Sequence, residues 1–245
     1  MFITLKLKKA LVISFGVLLF AAIIAIMALS IKEKNDEIVL EAMAVTEDAY
    51  EGDILIIDAG HGGLDGGAST SDGVTESDIN LAVALKMEAV ANFLGISTVM
   101  TRESADLNYP ESESTIAARK VWDQKTRVDL INSIESGYLI SVHQNSYPDA
   151  RPRGSQVLYA KTEGSQTLGE IAHSNLIEQL NPDNRRVAAP ISESIFLMKS
   201  VNCPAILVEC GFLSNKDEAA ILQTEEYKTK LAIVLVASYL QFCDS

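Results

Sequence analysis

Short apolar runs alternate with longer amphipathic segments along most of the chain. The short runs predict strands, because each is rich in aliphatic residues and bounded by glycine or polar residues. Five strands are predicted, at residues 53–57, 96–100, 138–142, 156–159 and 205–208. Apolar positions spaced three or four apart predict helices at residues 76–94, 115–134, 169–180, 216–222 and 227–242.

This alternation predicts one α/β domain with three layers, in which a largely parallel sheet is covered by helices on both faces. Ligands of such sheets gather beyond the carboxyl ends of the strands. His61, His143 and Glu209 each lie just after, or at the end of, a predicted strand. The pattern therefore brings three reactive side chains to one edge of the sheet.

The N-terminus has a different pattern. Lys6, Lys8 and Lys9 precede residues 10–31, which contain no charge. About 20 apolar residues cross a bilayer, and lysines on the N-terminal side favour an exported domain, outside the cytoplasm. We expect residues 1–31 to be a membrane anchor, 32–52 an acidic tether and 53–245 the catalytic domain. Small residues at 28–30 leave a second interpretation open, a signal peptide that is cleaved to release a secreted domain.

The composition excludes some classes of function. All 33 acidic residues, but only part of the 20 Lys and Arg residues, follow the apolar segment. Nucleic acid would repel such an acidic domain. Cys203, Cys210 and Cys243 form neither a disulfide framework nor a close metal-binding pair. No serine-hydrolase elbow or phosphate-binding loop ending in Gly-Lys-Ser/Thr is present.

The histidines are the first candidates for chemistry. His61 lies in a glycine-dense turn, where the backbone leaves room for a ligand, and His143 follows an apolar strand. His173 falls in an ordinary amphipathic helix, which favours a structural role. Two imidazoles and one carboxylate are a common protein ligand set for catalytic Zn²⁺.

Two glutamates could complete such a site. Glu76 opens the first helix, where an acid is also favoured by the helix dipole with Thr75 as the cap, and spacing alone does not decide between a metal ligand and this role. Glu209 ends an apolar strand, so its charge needs a cation, a metal or a proton-transfer role. An ion pair with Arg102 or Arg127 is the alternative for Glu209.

Five stretches, in order, resemble the zinc-dependent amidase 3 family of N-acetylmuramoyl-L-alanine amidases. They are IIDAGHGGLDGGA (56–68) with Glu76, TR (101–102), RVDLIN (127–132), LISVHQNSY (139–147) and PAILVECGFLSN (204–215). The resemblance covers nearly all of the chain after residue 53. Ala59 and Gly66 depart from it, since many members have proline there, but neither position is a ligand.

The resemblance implies Zn²⁺ on His61, Glu76 and His143, with Glu209 as the catalytic glutamate. The implied reaction is hydrolysis of the bond between N-acetylmuramic acid and L-alanine in peptidoglycan. Asn145 and Arg102 could support the site. A peptidase or deacylase of the same fold, and a non-catalytic wall-binding domain, are the alternatives.

The single domain, the N-terminal apolar segment and one residue pattern also resemble the spore-cortex amidases, which help to make muramic δ-lactam. The pattern comprises Arg119, Lys120, Asp123, Arg127 and Asn132. The same spacing is common on a solvated helix face, so both interpretations stay open. The sequence does not identify an activator protein.

Overall fold

The computed structural model describes residues 54–245. The predicted anchor and tether, residues 1–31 and 32–52, lie outside this range. Within residues 54–245 no helix is long and apolar enough to cross a bilayer.

Six strands form one sheet in the order β2-β1-β3-β6-β4-β5. The strands are β1 (Ile54–Ala59), β2 (Thr98–Met100), β3 (Gly137–Asn145), β4 (Gln156–Tyr159), β5 (Ala189–Pro190) and β6 (Ala205–Phe212). All neighbouring strands are parallel except β4 and β6, which are antiparallel. The largely parallel sheet predicted from the sequence is confirmed.

Six helices cover this sheet within residues 54–245. They are α1 (Glu76–Phe93), α2 (Ile116–Asn132), α3 (Ser165–Leu180), α4 (Phe196–Ser200), α5 (Lys216–Leu222) and α6 (Glu225–Cys243). Successive side chains of a strand point to opposite faces, so Leu55 and Ile57 pack with helices α1, α3 and α6. Ile56, between them, packs on the other face with α2 and α4. The predicted three-layer arrangement is confirmed.

Helix ends follow from local sequence signals. The Thr75 hydroxyl caps α1 by accepting from the backbone N–H of Asp78, and Thr115 caps α2 in the same way. Gly95, with φ of 74°, follows Leu94, the C-cap residue of α1, and ends the helix.

Strands β3 and β6 are longer than predicted. His143 and Glu209 therefore lie inside these strands, paired in register with each other, rather than after the strand ends. The sequence pattern stopped too early because both residues are polar, although their backbones stay in the hydrogen-bonded ladder. Strand β5 and helix α4 were not predicted, since each is too short to show a periodicity.

Candidate active site

His61 lies in the glycine-rich loop after β1 and has a left-handed backbone, with φ of 61°. No other non-glycine residue between 54 and 245 has a positive φ. This conformation costs roughly 1–2 kcal/mol for an L-residue, so contacts from outside the loop must compensate. Arg102 donates to the carbonyls of Ala59 and Gly60, at 2.8 and 3.2 Å. Arg127 donates to those of Ala59 and His61, at 2.7 and 2.6 Å.

Glu76 is the first residue of α1, and its side chain turns into the protein, where it is 4% exposed. One carboxylate oxygen accepts from the backbone N–H of Ala68 at 2.9 Å. The other accepts from the backbone N–H of Gln144 at 3.0 Å and from the Asn80 side chain at 3.4 Å. Contacts from three segments therefore fix this carboxylate. A glutamate whose only role was to complement the helix dipole would face solvent and would not need these contacts.

His143 reaches the same carboxylate from β3. Its Nδ1 lies 3.0 Å from Glu76 Oε1, and its ring centroid lies 5.0 Å from that of His61. The opposite ring edge packs on the loop, where a Cβ at Gly60 would lie 2.3 Å from His143 Nε2. A glycine at position 60 is therefore required by the close approach of this imidazole.

His61, Glu76 and His143 fit a zinc ion. Each offers a ligand atom, and these atoms lie within 4.8 Å of one another. His61 Nε2 is 3.2 Å and His143 Nδ1 is 3.0 Å from Glu76 Oε1. Ligands at 2.0–2.1 Å from a tetrahedral zinc are separated by roughly 3.3 Å, and two imidazoles with one carboxylate suit this metal.

The charged groups of the cluster shift one another's pKa values. Burial acts to raise the pKa of Glu76, but hydrogen bonds and charges from His143 and His61 outweigh burial and hold the pKa well below its usual range. Burial acts to lower the pKa of His61, yet Glu76 and Asp65 raise it. The cluster thus holds an ionised carboxylate with a strong affinity for a positive partner, proton or metal.

Glu209 lies beside this cluster with an unpaired carboxylate. Its Oε2 is buried and has no hydrogen-bond partner in the described part of the chain. Burial raises the pKa of Glu209 to about 7, with a smaller contribution from Glu76. A divalent cation on the neighbouring ligands would lower this pKa, since positive charge favours the carboxylate.

The alternative role of Glu209, an ion pair with Arg102 or Arg127, is wrong. Arg127 instead pairs with Asp58, at 2.7 Å, and with Asp123, at 2.9 Å. Among residues 54–245, Arg102 donates only to backbone carbonyls, of which Ser77 contributes one at 2.8 Å. Both guanidinium groups are thus occupied by acceptors other than Glu209.

Asp58 holds the Arg127 side chain that contacts the His61 loop. Its carboxylate accepts from Arg127, from the Ser141 hydroxyl at 2.5 Å and from the Thr101 hydroxyl at 2.7 Å. Burial acts to raise the pKa of Asp58, but Arg127 and the two hydroxyls outweigh it and lower the pKa to about 2. An ionised Asp58 therefore neutralises the guanidinium that grips the His61 loop.

The cluster opens into a cleft of about 680 Å³. Helix α2 provides one wall, with Lys120, Val121 and Lys125 among its residues, and Ile195 and Phe196 belong to the other. His61, Glu76, His143 and Glu209 all line this cleft. The cleft can therefore present a substrate to all four predicted site residues at once.

Several supporting residues were missed or left open by the sequence. Asn80 and Gln144, which hold Glu76, had no signal beyond their nearness to Glu76 and His143. Two residues of the α2 pattern make structural contacts: Arg127 holds the His61 loop, and Asn132 bonds the Ser200 carbonyl and the Asn202 N–H.

The other residues singled out from the sequence differ in whether they contact the site. Arg102 supports the loop that holds His61, a role that the sequence left open. The Asn145 backbone carbonyl accepts from Leu213, and the structure gives its side chain no contact with the cluster. His173 is buried in α3 and does not line the cleft, as its structural role requires.

Comparisons with known proteins agree on one family. The model of the Amidase_3 family, described as N-acetylmuramoyl-L-alanine amidase, matches residues 55–238. A germination-specific N-acetylmuramoyl-L-alanine amidase from Bacillus subtilis is 34% identical over 192 residues, which are 78% of this chain and 80% of that protein. The amidase LytC of the same organism is 29% identical, over 74% of this chain and 34% of LytC.

The solved structures show the same relationship. The CwlD amidase from Clostridioides difficile, solved in complex with the GerS lipoprotein, has a TM-score of 0.75 and 31% identity. The match covers 79% of this chain and 99% of CwlD. A second N-acetylmuramoyl-L-alanine amidase from Clostridium difficile 630 has a TM-score of 0.68 and 26% identity, over 79% of this chain and 98% of the other.

Proposed function

This chain belongs to the Amidase_3 family of N-acetylmuramoyl-L-alanine amidases, and we propose that it uses zinc held by His61, Glu76 and His143. The enzyme hydrolyses the amide bond between N-acetylmuramic acid and L-alanine in peptidoglycan. Zinc at such a site supplies Lewis acidity, which polarises a carbonyl and lowers the pKa of water towards ~7. The observation that supports this assignment most directly is the unpaired, buried Oε2 of Glu209 beside the three ligands.

Glu209 would move the protons of the reaction. Its Oε2 has no hydrogen-bond donor to compete with water, so it can accept a proton from the attacking water. The same oxygen then returns this proton to the departing L-alanine nitrogen, which leaves as a neutral amine. A buried carboxylate suits this proton transfer, because burial raises its pKa towards the pKa values of the attacking water and the departing nitrogen.

The other side chains would hold the geometry. Glu76 is fixed by backbone N–H groups of Ala68 and Gln144, so it cannot turn away when substrate enters. Arg102 and Arg127 keep the His61 carbonyl and its neighbours in place. The scissile amide must lie in the cleft between Glu209 and the three ligands, since these four side chains face the same space.

The test is Glu209→Gln in the full-length chain, with His173→Ala as the matched control. Glutamine keeps the size of the side chain but cannot accept the proton, so we expect turnover to fall at least ~10²-fold with stoichiometric zinc retained. His173 lies outside the cleft, so its variant should digest peptidoglycan at the wild-type rate. Products are identified by mass spectrometry of muropeptides.

Wild-type turnover by Glu209→Gln would make Glu209 structural. Products cleaved at another amide would favour a peptidase or deacylase. A purified wild-type protein without zinc, and indifferent to chelators, would refute the metal assignment.

A role in the spore cortex is the second part of the proposal. It is supported by the similarity to two proteins, the germination-specific amidase and CwlD. Deletion of the gene should remove muramic δ-lactam from spore cortex while vegetative wall stays unchanged. A cortex with its normal δ-lactam content would contradict this role.

We further propose that residues 10–31 anchor the enzyme in the membrane, with the catalytic domain outside the cytoplasm. The support is the uncharged length of this segment and the lysines before it. Membrane fractionation followed by N-terminal sequencing tests it. An intact N-terminus in the detergent-soluble fraction is expected, whereas a chain that begins near Ile31 would identify a cleaved signal.

A further inference from the structure

A carboxylate and an ammonium group continue the proposed metal site outward from His61. His61 Nδ1 lies 3.1 Å from Asp65 Oδ2, on the ring edge opposite to the edge that faces Glu76. The other oxygen of Asp65, Oδ1, lies 2.9 Å from the Nζ atom of Lys120. These contacts form a chain from the ligand, through the loop, to helix α2.

The backbone of the loop places Asp65 for this contact. The N–H of Gly62 donates to the Asp65 carbonyl at 2.8 Å, and the N–H of Asp65 donates to the Gly62 carbonyl at 2.9 Å. This pair of hydrogen bonds closes a tight turn. The turn returns the Asp65 carboxylate to the imidazole of the residue before Gly62.

Both nitrogens of His61 face a carboxylate, Nδ1 that of Asp65 at 3.1 Å and Nε2 that of Glu76 at 3.2 Å. A metal shared with Glu76 would take the lone pair of Nε2, so the one hydrogen of the neutral ring would be on Nδ1, where Asp65 accepts it. Asp65 would then hold the ring with Nε2 towards the metal. His143 has no second carboxylate within hydrogen-bond distance among the described residues, so this support is specific to His61.

We propose that Asp65 and Lys120 are positioning residues of the metal site: Asp65 holds the His61 ring through Nδ1 with Nε2 towards the metal, and Lys120 fixes Asp65. This inference rests on the zinc site proposed above. It makes the affinity for zinc depend on helix α2, which also forms a wall of the substrate cleft. Partners of metal-bound histidines typically contribute 10–100-fold to metal affinity.

Lys125 provides a matched control for Lys120. Both lysines are on α2 and both line the cleft. Lys120 pairs with Asp65, whereas the structure shows no ion pair for Lys125 within residues 54–245. The Lys120 side chain is 50% exposed, so its replacement leaves the hydrophobic core intact.

The experiment measures the zinc dissociation constant of the full-length protein by competition with a chromophoric chelator. Lys120→Met should weaken zinc binding about threefold to tenfold, less than the loss of a direct histidine partner, because Lys120 acts through Asp65. Lys120→Arg should restore binding to within about twofold of wild type, since its guanidinium can hold the same carboxylate. Lys125→Met should bind zinc as the wild type does.

The hydrogen bond to Asp65 is read separately, by ¹⁵N–¹H correlation of the histidine rings in the zinc-loaded protein. In wild type and in Lys125→Met, the Nδ1–H of His61 should exchange slowly with solvent, because Asp65 accepts it. Asp65→Ala should lose this slow exchange and weaken zinc binding by at least about tenfold. A merely structural role of Asp65 would leave the exchange of this hydrogen unchanged, and if Asp65→Ala fails to fold, the Lys120 variants still decide.

Two failures are distinguishable. If the wild type binds no zinc, the proposed function falls, and this inference falls with it. If the wild type binds zinc and Lys120→Met binds it as tightly as Lys125→Met, the inference is overturned while the zinc site stands. An unchanged solvent exchange of the His61 Nδ1–H in folded, zinc-loaded Asp65→Ala would also overturn it.

Discussion

Replacement of Asp58 by asparagine tests the buried ion pair under the active-site loop. The Asp58 and Arg127 side chains are 2% and 5% exposed, and their oxygen and nitrogen atoms are 2.7 Å apart. Asparagine keeps the shape but removes the charge, so Arg127 stays buried with Asp123 as its remaining anion, at 2.9 Å. Loss of one partner from a buried pair typically costs about 3–5 kcal/mol. Because Asp123 compensates in part, we expect a loss of about 3 kcal/mol.

The pKa of Asp58 gives a second measure. Its fall from 3.8 to about 2 corresponds to roughly 2 kcal/mol of stabilisation by the ionised form. The folded-state pKa lies below the unfolded value, so this contribution is complete above about pH 5 and is lost as the pH falls towards 2. The difference in unfolding free energy between wild type and Asp58→Asn should therefore narrow across this window.

Urea unfolding of the metal-free protein measures both effects, with the fluorescence of the single tryptophan, Trp122, as the signal. Trp122 is adjacent to Asp123, so it reports on this region. For a slope of about 2–3 kcal/mol/M, the midpoint of Asp58→Asn should fall by about 1 M at pH 7.

Asp149→Asn is the control. Asp149 pairs with Arg151 at the surface, where the arginine side chain is 90% exposed, so its midpoint should not move measurably. Equal midpoints for Asp58→Asn and Asp149→Asn would refute the reasoning. A difference between wild type and Asp58→Asn that stays constant from pH 5 to pH 2 would refute the assignment of the low pKa to Asp58.

Two further predictions concern the ligands. Gly60→Ala should fold but lose most of its zinc affinity, because the new Cβ would lie 2.3 Å from His143 Nε2. Gly66→Ala is the control and should retain zinc, because the nearest contact of its Cβ is Thr75 Cγ2 at 3.3 Å. Chelator competition measures the zinc affinity of both variants. Zinc bound by Gly60→Ala as tightly as by wild type would contradict the crowding. Removal of zinc should also lower the melting temperature reversibly, since a ligand at 1,000 times its dissociation constant contributes about 4 kcal/mol to the folded state. Identical melting curves with and without zinc in calorimetry would argue against a bound metal.

Much of the fold could be predicted because its signals are local. The periodicity of α1, its Thr75 cap and the glycine at 95 all lie within one stretch of sequence, and the structure places the helix at Glu76–Phe93. Strand β4 and helix α5 match their predicted bounds as well. The ends of β3 and β6 could not be predicted, because pairing between strands decides how far polar residues stay in the ladder.

The role of the α2 pattern shows what local signals miss. The sequence left two interpretations open for Arg127, since a charged residue on an amphipathic helix is usually solvated. Its partner Asp58 lies 69 positions earlier in the chain, and its other acceptors are the carbonyls of Ala59 and His61. No spacing in the sequence specifies such a contact.

The sequence by itself determined the layered α/β fold and the identity of the four central side chains, His61, Glu76, His143 and Glu209. These follow from apolar periodicity and from motifs, which are properties of neighbouring residues. Only the tertiary structure decided what each side chain faces: that Glu76 is turned inward between two histidines, and that no group within residues 54–245 donates to the buried Oε2 of Glu209. The physical reason is that burial and charge act through space, so the state of a carboxylate depends on groups that distant parts of the chain bring to it.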